Sequence, residues 1–248
     1  MKLKEFFDTN KNVAIAFSGG VDSAYLLYEA VHSSANICAY YVNSDFQPEF
    51  ELNDARRIAK ELDAKLKIIT VDVLESEEIT SNPANRCYYC KKRIFSAIAS
   101  EAAASGFNVI ADGTNASDKV SDRPGMKALA ELSVRSPLRE CGLTKDEIRW
   151  LSKEAGLFTW DKPAYACLAT RIETGETITR DKLRRTEISE NYLASLGFTN
   201  FRIRTVRDTA KIQISDAQIE KLISLKTQIN SELKKYYSSV LLDLEERV

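Results

Sequence analysis

Apolar and polar positions alternate along the first half of the chain in two distinct rhythms. Residues 13–17, 37–42, 66–71 and 108–111 are short, nearly continuous apolar runs. Residues 22–33, 48–62 and 91–104 carry apolar positions at the spacing that lines one face of a helix. Buried strands separated by helices predict a doubly wound parallel sheet, an α/β fold. Residues 136–138 read as a stop, and a further helix begins at Thr144, where Thr144 and Glu147 form a capping-box pattern, and closes near Gly156. Beyond residue 175 the rhythm changes. A helix over 179–196 ends at Gly197, runs 200–206 and 209–214 alternate like paired strands, 215–233 reads as one helix, and 237–244 as a last strand. The expected organisation is a nucleotide-type α/β domain over 1–156, a linker over 157–176 and a small α+β domain over 177–248.

Composition narrows the picture. The 248 residues are 44% hydrophobic and 29% charged, with a net charge of −1, so no global charge favours nucleic acid. No apolar run reaches membrane-spanning length and the first residues lack a signal-peptide core. A cytoplasmic protein without membrane contact is expected. The single histidine, His32, reads as a surface or packing residue and leaves little material for a Ser–His–Asp triad.

The densest candidate chemistry is Ser18-Gly19-Gly20-Val21-Asp22-Ser23, between the first strand and its helix. Such a turn presents backbone N–H groups and a positive helix end to an anion. Gly19 and Gly20 admit close approach of phosphates, Ser18 and Ser23 add hydroxyls, and Asp22 can help hold Mg2+. No lysine stands where a Walker A loop needs one. Asn43 and Ser44, after the second strand, suit either an adenosine contact or a plain polar turn. Asp112-Gly113-Thr114-Asn115 ends a strand and is expected to face the ligand crevice.

Five cysteines, Cys38, Cys87, Cys90, Cys141 and Cys167, favour metal or redox chemistry over a disulfide framework. Cys87 and Cys90 form a C-x-x-C expected just before a helix, with Arg86, Lys91, Lys92 and Arg93 nearby to favour thiolates. With Cys167 far downstream, a redox dithiol, half a zinc site and part of an iron–sulfur site all remain open. Cys38 and Cys141 read as structural.

The phosphate loop resembles the PP-loop, S-G-G-x-D-S, of the ATP pyrophosphatase superfamily with its adenine nucleotide alpha hydrolase-like fold. Together with Asp112-Gly113-Thr114-Asn115, Arg123-Pro124-Gly125, Val134-Arg135-Ser136-Pro137-Leu138, Trp160-Asp161-Lys162-Pro163-Ala164, Cys167-Leu168-Ala169-Thr170-Arg171 and Arg202-Ile203-Arg204, the chain resembles the LarE family of ATP-dependent sulfur transferases. The resemblance implies ATP and Mg2+, adenylylation of a carboxylate of pyridinium-3,5-biscarboxylic acid mononucleotide, and replacement of AMP by sulfur, on the route to the nickel-pincer cofactor of lactate racemase. It places Gly113 and Arg123 in the nucleotide set, and Arg202, Arg204, Thr170 and Arg171 near the substrate phosphate. Glu190 matches a position linked to metal or substrate. One branch of the family sacrifices a cysteine that would fall at Ala166 here. The other carries a 4Fe–4S cluster, whose ligands would be Cys87, Cys90 and Cys167, fed by a sulfide donor. The resemblance also implies a homo-oligomer. Other readings are a tRNA-thiolating PP-loop enzyme, a synthetase using ammonia, and a non-enzymatic nucleotide-binding or zinc-stabilised module.

Overall fold

The computed structural model describes residues 2–118 and 124–245. The chain divides into two compact units, Met1–Val73 with Asn85–Tyr165, and Leu74–Ala84 with Ala166–Val248. The first unit runs α1 (Leu3–Thr9), β1 (Asn12–Ala16), α2 (Val21–Val31), β2 (Asn36–Asn43), α3 (Glu49–Glu61) and β3 (Leu66–Thr70). The short α4 (Glu77–Thr80) belongs to the second unit. The first then resumes with α5 (Arg86–Ala104), β4 (Val109–Ala111), α6 (Pro124–Glu131), α7 (Pro137–Glu140) and α8 (Lys145–Glu154).

Its four strands are all parallel, in the order β3-β2-β1-β4. Val13, Ala14 and Ile15 have no exposed surface, because helices cover both faces. Alternation along β2 shows how. Ala39 and Tyr41 enter the core shared with α1, α2, α3, α7 and α8. Tyr40 faces the other way, edge-on to Phe107 at 6.1 Å, on the side where α5 contacts the sheet. The chain moves outward from β1 to β3, then returns to lay β4 on the far side of β1. The carboxyl ends of β1 and β4 therefore flank the topological switch point, the usual ligand crevice of such sheets.

The second unit contains α9 (Arg180–Ser195), the antiparallel pair β5 (Arg202–Val206) and β6 (Thr209–Gln213), α10 (Ile219–Ser224), α11 (Lys226–Leu233) and β7 (Ser239–Leu242), which runs parallel to β6. Leu193, Ile203, Ile212, Ile229 and Leu233 form its core. The buried hydroxyls of Thr186 and Thr205 lie 3.0 Å apart, and Thr205 lies 3.1 Å from the Tyr237 hydroxyl.

Three features depart from the sequence expectation. Residues 74–84 join the second unit: Asn82, at φ +54°, donates to Glu173 O at 2.7 Å and accepts from Gly175 N at 2.8 Å. The segment expected to link the domains is not a free tether. Its first part is fastened within the first unit, where Lys162 Nζ meets Asp54 at 2.6 Å and Arg149 holds the carbonyls of Trp160 and Lys162. Finally, 215–233 is not one helix but a 3-10 turn followed by α10 and α11, which meet at Leu225. The Ser224 hydroxyl bonds back to Lys221 O there, a local competitor for helical hydrogen bonding.

Candidate functional site

The loop after β1 is built for close backbone packing. Gly19 adopts φ +74°, and a Cβ on it would stand 3.2 Å from both Ala55 N and Glu51 O of α3. Gly20 is the N-cap of α2, so the amides of the first turn have no acceptor within the helix. Gly113 abuts this turn: a Cβ there would lie 2.9 Å from Ser23 N. The Ser23 hydroxyl donates to Gly20 O at 3.1 Å, accepts from Ser18 N at 3.3 Å and lies 3.2 Å from Ser18 Oγ. Ser23 thus ties the loop internally.

A cavity of about 490 Å3 opens over this loop. Ser18, Gly20, Asp22 and Ser23 line it from one side and Gly113 and Thr114 from the other, as the switch point requires. Asp112 is 6% exposed and holds the adjoining turn: it accepts from Ser136 Oγ at 2.7 Å and from Thr114 Oγ1 at 2.5 Å. Val42 and Gln47 contribute to the wall near β2, whereas Asn43 and Ser44 are not among the described residues lining it. Ser44 shapes the turn instead, donating to Gln47 Oε1 at 2.5 Å. Arg123 lies outside the described residues.

Asp22 is not bare. Its Oδ2 meets Lys145 Nζ at 2.6 Å and its Oδ1 accepts from Asn115 Nδ2 at 3.3 Å. Lys145, the first residue of α8, gave no signal in the sequence because it stands 123 positions from its partner. Two residues that line the cavity were also missed. Lys91 of α5 reaches the cavity, its stem lying where a Cβ on Gly125 would be. Tyr41 lines it from β2, and its buried hydroxyl has no hydrogen-bond partner among the described residues. Burial, then the Glu51 charge, push the Tyr41 phenol up, so it is a neutral donor. An apolar strand pattern conceals such a group.

Cys87 and Cys90 lie inside α5, not before it. At a separation of three they share a helical face, with Cys87 exposed and Cys90 half-buried. Of the neighbouring bases, Lys92 is engaged elsewhere, 3.3 Å from Tyr88 OH and 3.4 Å from Glu131. Burial pushes the thiols of Cys38 and Cys141 up, in keeping with structural roles. Within each unit, among the described residues, no three His, Cys, Asp or Glu side chains form a metal-holding group.

In the second unit, Cys167 is the N-cap of a 3-10 turn, Leu168–Arg171. Arg171 is 1% exposed. Its guanidinium pairs with Glu190 at 2.9 and 3.2 Å and donates to Ala166 O at 2.6 Å and to Thr170 Oγ1 at 2.9 Å. Glu190 Oε1 also accepts from Ile203 N at 3.0 Å. The pair therefore clasps the Cys167 turn to α9 and β5. Arg202 and Arg204 share a face of β5, opposite buried Ile203 and Thr205. Arg204 donates to Thr170 O at 3.2 Å and Gln213 Oε1 at 2.6 Å. A second cavity, of about 310 Å3, is lined by Arg171, Arg204, Lys211 and Gln213. Arg202 is not among its lining residues.

Residues 12–86 match the family described as queuosine biosynthesis protein QueC. The chain is 34% identical to the pyridinium-3,5-bisthiocarboxylic acid mononucleotide synthase of Lactiplantibacillus plantarum, over 94% of this chain and 86% of that protein. It is 35% identical to an uncharacterised protein of Synechocystis sp., over 98% and 92%. A more partial match is the tRNA-specific 2-thiouridylase MnmA of Clostridium perfringens, 28% identical over 62% of this chain and 54% of that protein. On this near full-length likeness, with the family match over residues 12–86, the chain belongs to the LarE family of PP-loop ATP-dependent sulfur transferases.

Proposed function

We propose that the chain activates a carboxylate of pyridinium-3,5-biscarboxylic acid mononucleotide with ATP and replaces AMP with sulfur, in the synthesis of the nickel-pincer nucleotide. The supporting observation is the near full-length likeness to the Lactiplantibacillus plantarum synthase, joined to a Gly-lined cavity at the switch point. ATP phosphates would lie against the first-turn amides of α2, with Asp22 the residue to hold Mg2+. The substrate carboxylate oxygen attacks the α-phosphorus, the bond to the β-phosphate oxygen breaks, and pyrophosphate leaves. Sulfur then adds to the acyl carbon and AMP departs. Both steps need water excluded, because water hydrolyses an acyl adenylate.

By the family resemblance, an iron–sulfur group would take Cys87, Cys90 and Cys167 as its ligands, thiolates being the usual donors to such a group. Such a 4Fe–4S cluster would supply sulfide from the iron that lacks a protein ligand. Arg204, which lines the smaller cavity with Lys211, is the arginine this reading assigns to the substrate phosphate. A homo-oligomeric cytoplasmic enzyme fits this reading. The test is anaerobic incubation with ATP, the pyridinium mononucleotide and sulfide. Thiocarboxylate with AMP and pyrophosphate supports the reading, and a colourless, iron-free protein that still transfers sulfur removes the cluster from it.

A second reading, tRNA thiolation, draws on the partial likeness to MnmA. The net charge of −1 argues against it, and filter binding of tRNA decides.

A further inference from the structure

Lys145 has no task in the chemistry above, yet its position is built with care. Thr144 caps α8, accepting from Glu147 N while Glu147 reaches back to Thr144 N at 2.8 Å. The Lys145 amide donates to Ser117 Oγ at 3.0 Å, two residues beyond the asparagine that holds Asp22. The side chain then delivers its ammonium to Asp22 Oδ2 at 2.6 Å, with the lysine 30% and the aspartate 23% exposed. Asn115 occupies the other carboxylate oxygen. Asp22 lines the nucleotide cavity, so the group expected to hold the divalent cation already has a cation.

A free metal ion would have to displace this ammonium, losing the charge pair and gaining one carboxylate. A metal–nucleotide complex meets different terms. Its phosphates complete the metal's oxygen ligands and offer the displaced ammonium a new anion. We propose that Lys145 couples metal binding to nucleotide binding at Asp22: it fills the carboxylate while the cavity is empty and turns to the phosphates when the metal arrives with ATP. The loop would then take up its metal with nucleotide and not before it. This inference rests on the reading that residues 18–23 bind ATP.

The experiment is titration of the protein with Mn2+ alone, followed by the paramagnetic resonance signal of free metal. Wild type is expected to bind weakly. Lys145→Met should bind Mn2+ about tenfold more tightly, because a positive charge beside the carboxylate is gone. Lys145→Arg keeps the charge and should remain weak, which separates charge from folding damage. Adding Asp22→Asn to Lys145→Met should abolish the gain. With ATP present the order should reverse, Lys145→Met binding Mn–ATP less tightly than wild type. Equal Mn2+ affinity in wild type and Lys145→Met, or a gain that survives Asp22→Asn, overturns the proposal. Failure of wild type to bind Mn–ATP would defeat the ATP reading itself, and the metal-only comparison would still report the competition at Asp22.

Discussion

A methyl group at Gly113 would meet the amide nitrogen of Ser23 at 2.9 Å, and helical backbone cannot yield there as a flexible side chain would. Gly113→Ala should displace the first turn of α2, a strain of about 1–3 kcal/mol, and weaken ATP binding roughly tenfold by calorimetry. Unchanged affinity would mean that this contact does not shape the phosphate site. Arg171 and Glu190 make the complementary case. The family resemblance puts Arg171 near the substrate phosphate, and its 1% exposure and its pairing with Glu190, which give it a holding role in the fold as well, do not show in the sequence. The partner Glu190 lies 19 positions away on another helix. Glu190→Gln leaves the guanidinium buried against a neutral group. Losing one member of such a pair costs about 3–5 kcal/mol, read as a fall in the urea midpoint. An unchanged midpoint would remove the clasp from the account.

Elements were most legible where a local rule determines them. The strand–loop–α2 unit and the Thr144 capping box lie where apolar runs and caps placed them. Helix α5 starts earlier than expected because Cys87, Tyr88, Tyr89 and Cys90 are middling helix formers, and tertiary contact with α6 supports that turn. The break at Leu225 was hidden because residues 215–233 keep helical spacing through it. The cap of α8 carries weight in the site, since the helix begins with Lys145. Thr144→Ala should cost about 1 kcal/mol of stability, checked by denaturant unfolding, and an effect near zero would show that tertiary packing alone holds this end. The end of β7 has a pH signature. Asp243 accepts from Lys211 at 2.8 Å and from Gln213 at 2.7 Å, and the lysine hydrogen bond holds its carboxyl below the usual range. A depressed folded pKa stabilises above the unfolded value, about 3.9, and that contribution fades as pH falls from there through the lower folded value. Urea midpoints of Asp243→Asn should therefore approach those of wild type as pH drops below about 4. A gap that persists there would contradict this pairing.

For the whole molecule, the change of rhythm near residue 175 announces a second unit, but its reach back to residues 74–84 does not show in the pattern. An eleven-residue segment held by Asn82 and Thr80 leaves only one left-handed residue as a local trace. The first unit offers the loop and the cavity to which the proposed function assigns ATP. The second offers the clasped Cys167 turn and an arginine-lined cavity. On the proposed function, the chain uses ATP to activate a carboxylate of a pyridinium mononucleotide. The most direct measurement is exchange of labelled pyrophosphate into ATP, with that dicarboxylate or tRNA as the only group to be adenylylated. The proposed function requires exchange with the dicarboxylate alone, lost in Asp22→Asn. Exchange driven by tRNA, or none with the dicarboxylate, would contradict it.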